Sequence, residues 1–517
     1  MAEKKRGAVK TVGLMMAVTA VSKLLGMARQ MIFGSVFAES AQASAFLAAS
    51  SVSLSLFDIL FAGAIAGCFI PMFGEAKKSG TERAEKFSSS FLLAVSAMIA
   101  AASALLMIFP RTAISVLSPA MESETAALAA RLLRIMMPAS VFAGVTYIFA
   151  GLLQSNGMFI LPAAASSVSN IMLIICLALF SGEASEKSIV TLSFVYTASW
   201  AAQAALLVIP AYVKKAAPKA KPDLHNADML TALKKAPAVT AGSWLLPLGL
   251  LAATFFAPFI SDTAITSYNY AYNIFIIVSG VLTYGVCNFV FPKFSAADKG
   301  EFAPLLRRAV KSALLLVFPF TAGSAVLSLR ITEIIYLRGN FSSELAFECA
   351  SLLTIFAFAM PFFAVYEVLC RAFYSAGKAR IPAVAALSSA LVCVISNLIF
   401  FAAGGKSAVS LAVSFLLSQI TAALILCVCA KKHFALFSGG MAQKTAKSTF
   451  SAAVCGVAMY FLNEAAKKIS AKSGFLQNLF ASAIVFSAGC VVYLICIYIF
   501  GLIKSLGKTD SDGKERS

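Results

Sequence analysis

The chain is poor in charge, and in acids above all. Only 13% of its 517 residues are charged, with 23 Asp and Glu against 42 Lys and Arg. His225 and His433 are its two histidines, both in loops between apolar windows, and neither nominates a site. The 11 cysteines lie almost all in apolar stretches, with no CxxC or Cys/His spacing. That pattern suggests neither a disulfide framework nor zinc. Acid pairs are missing where a membrane glycosyltransferase or ligase would need them, since AESAQA (38–43) and SDTA (261–264) hold only Glu39 and Asp262. Metal or base chemistry on a lipid-linked sugar asks for more, so the chain reads as a non-enzyme without a cofactor. Tryptophan is nearly absent too, at 2 residues against 43 Phe.

What abounds is apolar sequence, 60% of the chain, which marks an all-α integral membrane protein. A bilayer core about 30 Å thick takes about 20 apolar residues per helix. About fourteen windows meet this: 12–36, 43–73, 86–110, 127–154, 158–181, 189–213, 237–261, 264–291, 305–331, 346–376, 380–404, 407–430, 446–463 and 475–503. The first is too long for a cleaved signal peptide, and Lys23 would interrupt its apolar region.

The net charge of +19 raises the question of nucleic acid, but its distribution gives a better account. With Lys4, Lys5, Arg6 and Lys10 inside the cell and each window crossing once, 30 of the 42 basic residues fall on the cytoplasmic side and eight outside. That asymmetry is the positive-inside signature of a multi-pass membrane protein with both termini cytoplasmic. Its basic loops meet anionic membrane lipids rather than nucleic acid.

The chain also repeats itself. AVSKLL (20–25) matches AGSWLL (241–246), pairing Ser22 with Ser243 and Lys23 with Trp244. FIPMF (69–73) matches VFPKF (290–294), pairing Pro71 with Pro292, and QSNGMFILPA (154–163) matches YSAGKARIPA (374–383). A repeat of six helices returns each copy to the same side, so the copies are parallel. The expected organisation is an N-terminal lobe over 1–213, a basic linker over 214–236, a C-terminal lobe over 237–431, two further helices within 445–505 and a tail over 506–517. Two six-helix lobes suit an alternating-access transporter.

Ionisable groups at membrane depth are costly, by about 2.5–3.5 kcal/mol on insertion scales, and are expected to face a cavity or a partner. Lys23 lies about eleven residues into the first window, hence about 16 Å deep. Arg29 is six residues on, roughly 120° around an ideal helix, with Gly26 between them as a point of bending. Asp58, in SLFDILFAG (55–63), reaches a similar depth from the other side, so a pair with Lys23 or Arg29 is open. One acid cannot neutralise both cations. The repeat places Trp244 and Ser279 opposite Lys23 and Asp58, so this charge is confined to the first lobe. The eighth window contributes neutral groups instead, Asn269 and Asn273, which share a face four residues apart. Glu367 and Arg371 are expected to pair along the tenth helix, and Arg131 and Arg134 to anchor the fourth at its outer end. Unbalanced cations in a cavity open to lipid suit an amphiphile with a phosphate headgroup.

VSKLLGMARQMIFG (21–34) resembles the first-helix signature of the MurJ/MviN family of lipid II flippases, in which Ser-Arg-x-x-Gly-x-x-Arg is typical. FIPMFGEAKKSG (69–80), SGVLTYGVCNFVFPKFS (279–295) and RAFYSAGKARIPA (371–383) look like further landmarks of that family. The resemblance, over residues 10–505, implies the multidrug/oligosaccharidyl-lipid/polysaccharide exporter fold and movement of an undecaprenyl-pyrophosphate-linked peptidoglycan precursor from the inner to the outer leaflet. It assigns the pyrophosphate to Lys23, in place of the family's first arginine, and to Arg29; the polar residues read above, Asp58, Asn269 and Asn273, together with Ser22, complete the expected substrate-binding group. Gly26, Gly63, Pro71 and Pro292 fall at hinge or motif positions. The chain departs from the family at Phe57 and Asp58, where a basic pair is expected, at Ala62, where an acid is usual, and at Asn273, where an arginine aligns. A flippase for another polyprenyl-linked glycan and a cation-coupled multidrug exporter are the alternatives. Membrane potential or a monovalent ion is the expected driving force, and cell-wall synthases are plausible neighbours.

Overall fold

A computed structural model describes residues 2–63, 65–180, 184–438, 440–469 and 475–502. Among them there is no strand, and every one of the fourteen windows is helical. The chain groups into two compact units. Unit 1 holds Met1–Thr266 with Arg338–Phe341, and unit 2 holds Ser267–Leu337 with Ser342–Ser517. The seventh window therefore packs with unit 1, although the repeat places it at the head of the second copy.

Unit 1 runs through α1 (Ala2–Phe37), α2 (Ala41–Phe57), α3 (Ile70–Ser79), α4 (Thr81–Ile108), α5 (Pro110–Leu117), α6 (Ser123–Met136), α7 (Pro138–Ser155), α8 (Ile160–Ala178), α9 (Glu186–Val213), α10 (Ala227–Ala241) and α11 (Leu245–Phe256). The second window is not uniform: two π-helical turns, Asp58–Ala62 and Ile65–Phe69, sit between α2 and α3, and Pro71 opens α3. The seventh is a broken span, α10 and the helix that follows it meeting at 61°. Its first half starts at Ala227, inside the stretch read as linker, because Asn226 caps it by accepting from the Met229 amide at 3.0 Å. Gly26 lies in α1 without interrupting it.

Unit 2 runs through α12 (Ala264–Ala296), in which Pro292 falls, α13 (Lys299–Val326), α14 (Ser328–Tyr336), α15 (Ser343–Ser375), α16 (Arg380–Ala402), α17 (Ala408–Phe434), α18 (Met441–Ile469) and α19 (Phe475–Ile499). Eleven helices among the described residues are long and apolar enough to cross a membrane, or twelve counting the broken span. The first and thirteenth windows are the charged helices α1 and α18.

The repeat is visible element by element. The run of α4, α5, the α6–α7 pair, α8 and α9 has its counterpart in α13, α14, α15, α16 and α17. The match extends to backbone detail at the QSNG and YSAG turns. Gly157 and Gly377 both take positive φ, 79° and 70°. The amides that follow bond back alike, Met158 to Leu153 O at 2.9 Å and Lys378 to Phe373 O at 2.8 Å. This is the left-handed helix stop that glycine supplies without a Cβ clash.

In lipid, helices associate through close packing and interhelical hydrogen bonds rather than apolar burial alone. Unit 1 follows this rule. Ala43, Ala45, Ala48 and Ala49 of α2 are fully buried, and Ser103 meets Ser140 at 2.7 Å, Ser169 meets Ser199 at 2.9 Å. Aromatic packing fills the wider gaps: Phe69 lies 4.9 Å from Phe91 in unit 1, and Phe356 lies 5.3 Å from Phe415 in unit 2.

Candidate functional site

The middle of α1 is held from one side. Ser22 is buried, and its hydroxyl donates to Ala163 O of α8 at 3.2 Å and shares a short bond with Ser167. Asn170 of α8 donates to Ser22 O at 3.2 Å, and a side chain at Gly26 would touch that same amide. Ser22 thus joins helix to helix rather than presenting a hydroxyl to a ligand. Lys23, about 100° further round, is exposed and makes no ion pair among the described residues.

Arg29 is half-buried and lies within electrostatic reach of Tyr196 on α9. Asp58 reaches the same phenol from the first π-helical turn and also acts on Tyr147 of α7. Arg29 and Asp58 therefore converge on Tyr196. Asp58 itself makes no ion pair among the described residues, so it locks neither cation. The Tyr196 hydroxyl is buried without a partner of normal hydrogen-bond geometry, the Trp200 indole standing one turn on.

A second aromatic group fixes this corner. Trp244, at the break of the seventh span, donates its indole N–H to Ile59 O at 2.7 Å, one residue from Asp58. Gly63 permits the approach, since a Cβ there would stand 2.5 Å from Thr240 Cα. Irregular turns of this kind recur at functional sites. Tyr147, Tyr196 and Trp200 were not singled out from sequence, and Trp244 stood out only as the repeat partner of Lys23. The scarcity of Trp was the available signal, because the chain's only two tryptophans, Trp200 and Trp244, fall beside this group.

The asparagines are in unit 2. Asn273 donates to its own helix at Asn269 O, 2.8 Å away, and Asn269 is buried. Glu367 and Arg371 pair along α15 as expected, with Arg371 over the Tyr284 ring at 5.6 Å. Both side chains are largely buried, so stripping one charge leaves the other uncompensated, at about 3–5 kcal/mol. Glu367→Gln is expected to lower the thermal midpoint in detergent well below that of the Glu367→Gln/Arg371→Met double variant, measured as a double-mutant cycle.

Unit 2 also holds an apolar cavity of about 1050 Å³ between α13, α15, α17 and α18, with Phe318, Phe358, Phe362, Leu424 and Tyr460 among its walls. Its lining is hydrocarbon and aromatic apart from Cys427 and three threonines, Thr321 of α13 and Thr445 and Thr449 of α18, a surface for a lipid chain rather than for a charged ligand.

Duplicated spans, a broken helix and a charge group at membrane depth define a membrane transporter. A model of the family described as lipid II flippase MurJ matches residues 33–482. The chain belongs to that family. It is 26% identical to a probable lipid II flippase MurJ of Aquifex aeolicus over 74% of this chain and 75% of that one. It is 25% identical to the lipid II flippase MurJ of Thermosipho africanus over 77% and 80%. Its fold matches a solved lipid II flippase MurJ in an inward closed conformation, with a TM-score of 0.77 and 22% identity over 94% of this chain and 98% of that one. It also matches an outward-facing multidrug resistance MATE transporter of the MOP superfamily, with a TM-score of 0.62 and 13% identity over 82% and 94%.

Proposed function

We propose that this chain carries lipid II, an undecaprenyl-pyrophosphate-linked peptidoglycan precursor, from the inner to the outer leaflet of the bacterial plasma membrane by alternating access. The observation that carries the reading is Lys23, a cation at membrane depth turned away from its helix contacts and without an ion pair among the described residues. A buried or lipid-facing cation without a partner is costly, and a pyrophosphate supplies that partner through charge-assisted hydrogen bonds. Arg29 contributes a second charge from the same helix. The apolar lining of the unit 2 cavity suits a lipid chain, and the positive-inside count supports cytoplasmic termini. Cell-wall synthases would take up the delivered precursor.

Native mass spectrometry of the gently extracted protein tests this directly. The parent chain is expected to carry a polyprenyl-pyrophosphate glycolipid, and Lys23→Ala to lose most of it. Co-purification of organic cations instead would favour the exporter reading.

A further inference from the structure

The mechanism above uses the cations and leaves Asp58 without a task. Asp58 is a carboxylate at membrane depth with no ion pair among the described residues. It opens a π-helical turn fixed by Trp244 on its neighbour's carbonyl and by the Gly63 contact. Its surroundings are specific. Tyr147 faces it from α7, Tyr196 from α9, and Arg29 of α1 acts on that same Tyr196. The second π-helical turn and α10 contribute Cys68 and Lys235, which act on each other. Lys234 of α10 is exposed, its Asp228 is paired with Arg83, and α2 and α11 carry no titratable side chain. The Tyr196 hydroxyl is buried, and both the acid and the guanidinium act on it.

We infer that Asp58 is a proton site of the transport cycle, taking up one proton as an anionic diphosphate headgroup settles on Lys23 and Arg29. This deepens the flippase reading and rests on it. The reason is charge balance. Lys23 and Arg29 bring two positive charges, and a diphosphate esterified at both ends brings two negative ones. Counting these three side chains alone, with Asp58 ionised they carry one net positive charge when empty and one net negative charge with the headgroup bound. A proton on Asp58 makes the loaded site neutral, which is the least costly state away from water. Headgroup and proton therefore favour each other's binding, because a nearby anion disfavours the ionised carboxylate. The proton comes from water as the headgroup enters and returns to water as it leaves. No bond other than the O–H bond of the carboxyl is made or broken.

The test measures affinity of the purified full chain for a synthetic polyprenyl diphospho-sugar, a diester that does not itself titrate between about pH 5 and 8. Because the bound state holds the extra proton, the parent's affinity should fall as pH rises through the bound carboxyl's titration, by at most about tenfold per pH unit for one proton. Asp58→Asn should bind with a flat profile, and Asp58→Glu should restore the slope. Uptake of one proton per ligand by the parent chain in weak buffer is a second readout that needs no variant. An unchanged slope in Asp58→Asn, a flat parent profile, or no proton uptake would overturn the assignment while leaving the flippase reading in place. No binding by the parent at any pH would overturn both.

Discussion

Changing Lys23 and Arg29 together to Ala is expected to abolish growth of cells that depend on this chain as their only lipid II flippase, at normal levels of folded protein. Each charged hydrogen bond to a phosphate contributes about 1.5–3 kcal/mol. Losing both removes roughly 3–6 kcal/mol, or about two to four orders of magnitude in affinity. Lys23→Arg keeps the charge and adds a planar fork that grips two phosphate oxygens at once, so it retains growth. The two side chains are suited to act together but differ in setting. Lys23 is exposed, whereas Arg29 is drawn toward Tyr196 and shares that phenol with Asp58. The single Arg29→Ala change therefore disturbs two charges, and the single Lys23→Ala change only one. Unimpaired growth of the double variant would remove the basis of the proposed site.

The second large effect is structural. Gly63→Val is expected to lower the thermal midpoint sharply and to reduce the yield of folded protein. A Cβ at Gly63 meets Thr240 Cα at 2.5 Å and Ser243 Oγ at 3.1 Å, and the nearer atom belongs to backbone that cannot swing aside. Overpacking of this sort costs about 1–3 kcal/mol or more. The strain falls on the turn that carries Asp58 and on the break that carries Trp244, so transport fails with stability. Gly74→Ala is the matched control, since nothing lies within 4 Å of the added atom. A Gly63→Val protein that melts with the parent would show that the contact is not tight in the working molecule.

Much of this architecture is legible in the chain itself, and the limits have physical causes. Apolar windows find helices because a span must satisfy its own backbone hydrogen bonds, and every window holds one. The repeat is legible because glycine and proline landmarks fix backbone turns, as Gly157 and Gly377 do. The π-helical turns left no trace, since one extra residue in a turn hardly alters the apolar pattern of SLFDILFAG. The start of α10 was hidden because ADMLTALKKA carries charge like a loop while forming helix under its Asn226 cap. Among the candidate site residues, depth nominated Lys23, Arg29 and Asp58, but depth says nothing of rotation. Ser22 lies next to Lys23 in sequence yet faces α8, and only packing reveals which side of α1 is occupied. Asn269 and Asn273 were correctly placed on one face, where one side chain bonds to the backbone of its own helix.

The apolar hollow of unit 2 has one wall of a different origin from the others. Three of its helices, α13, α15 and α17, belong to the duplicated plan, whereas α18 follows both copies. Doubling alone did not create this space; the appended α18 closes one side of it. A molecule built from twins thereby gained a hollow that copying alone would not have formed.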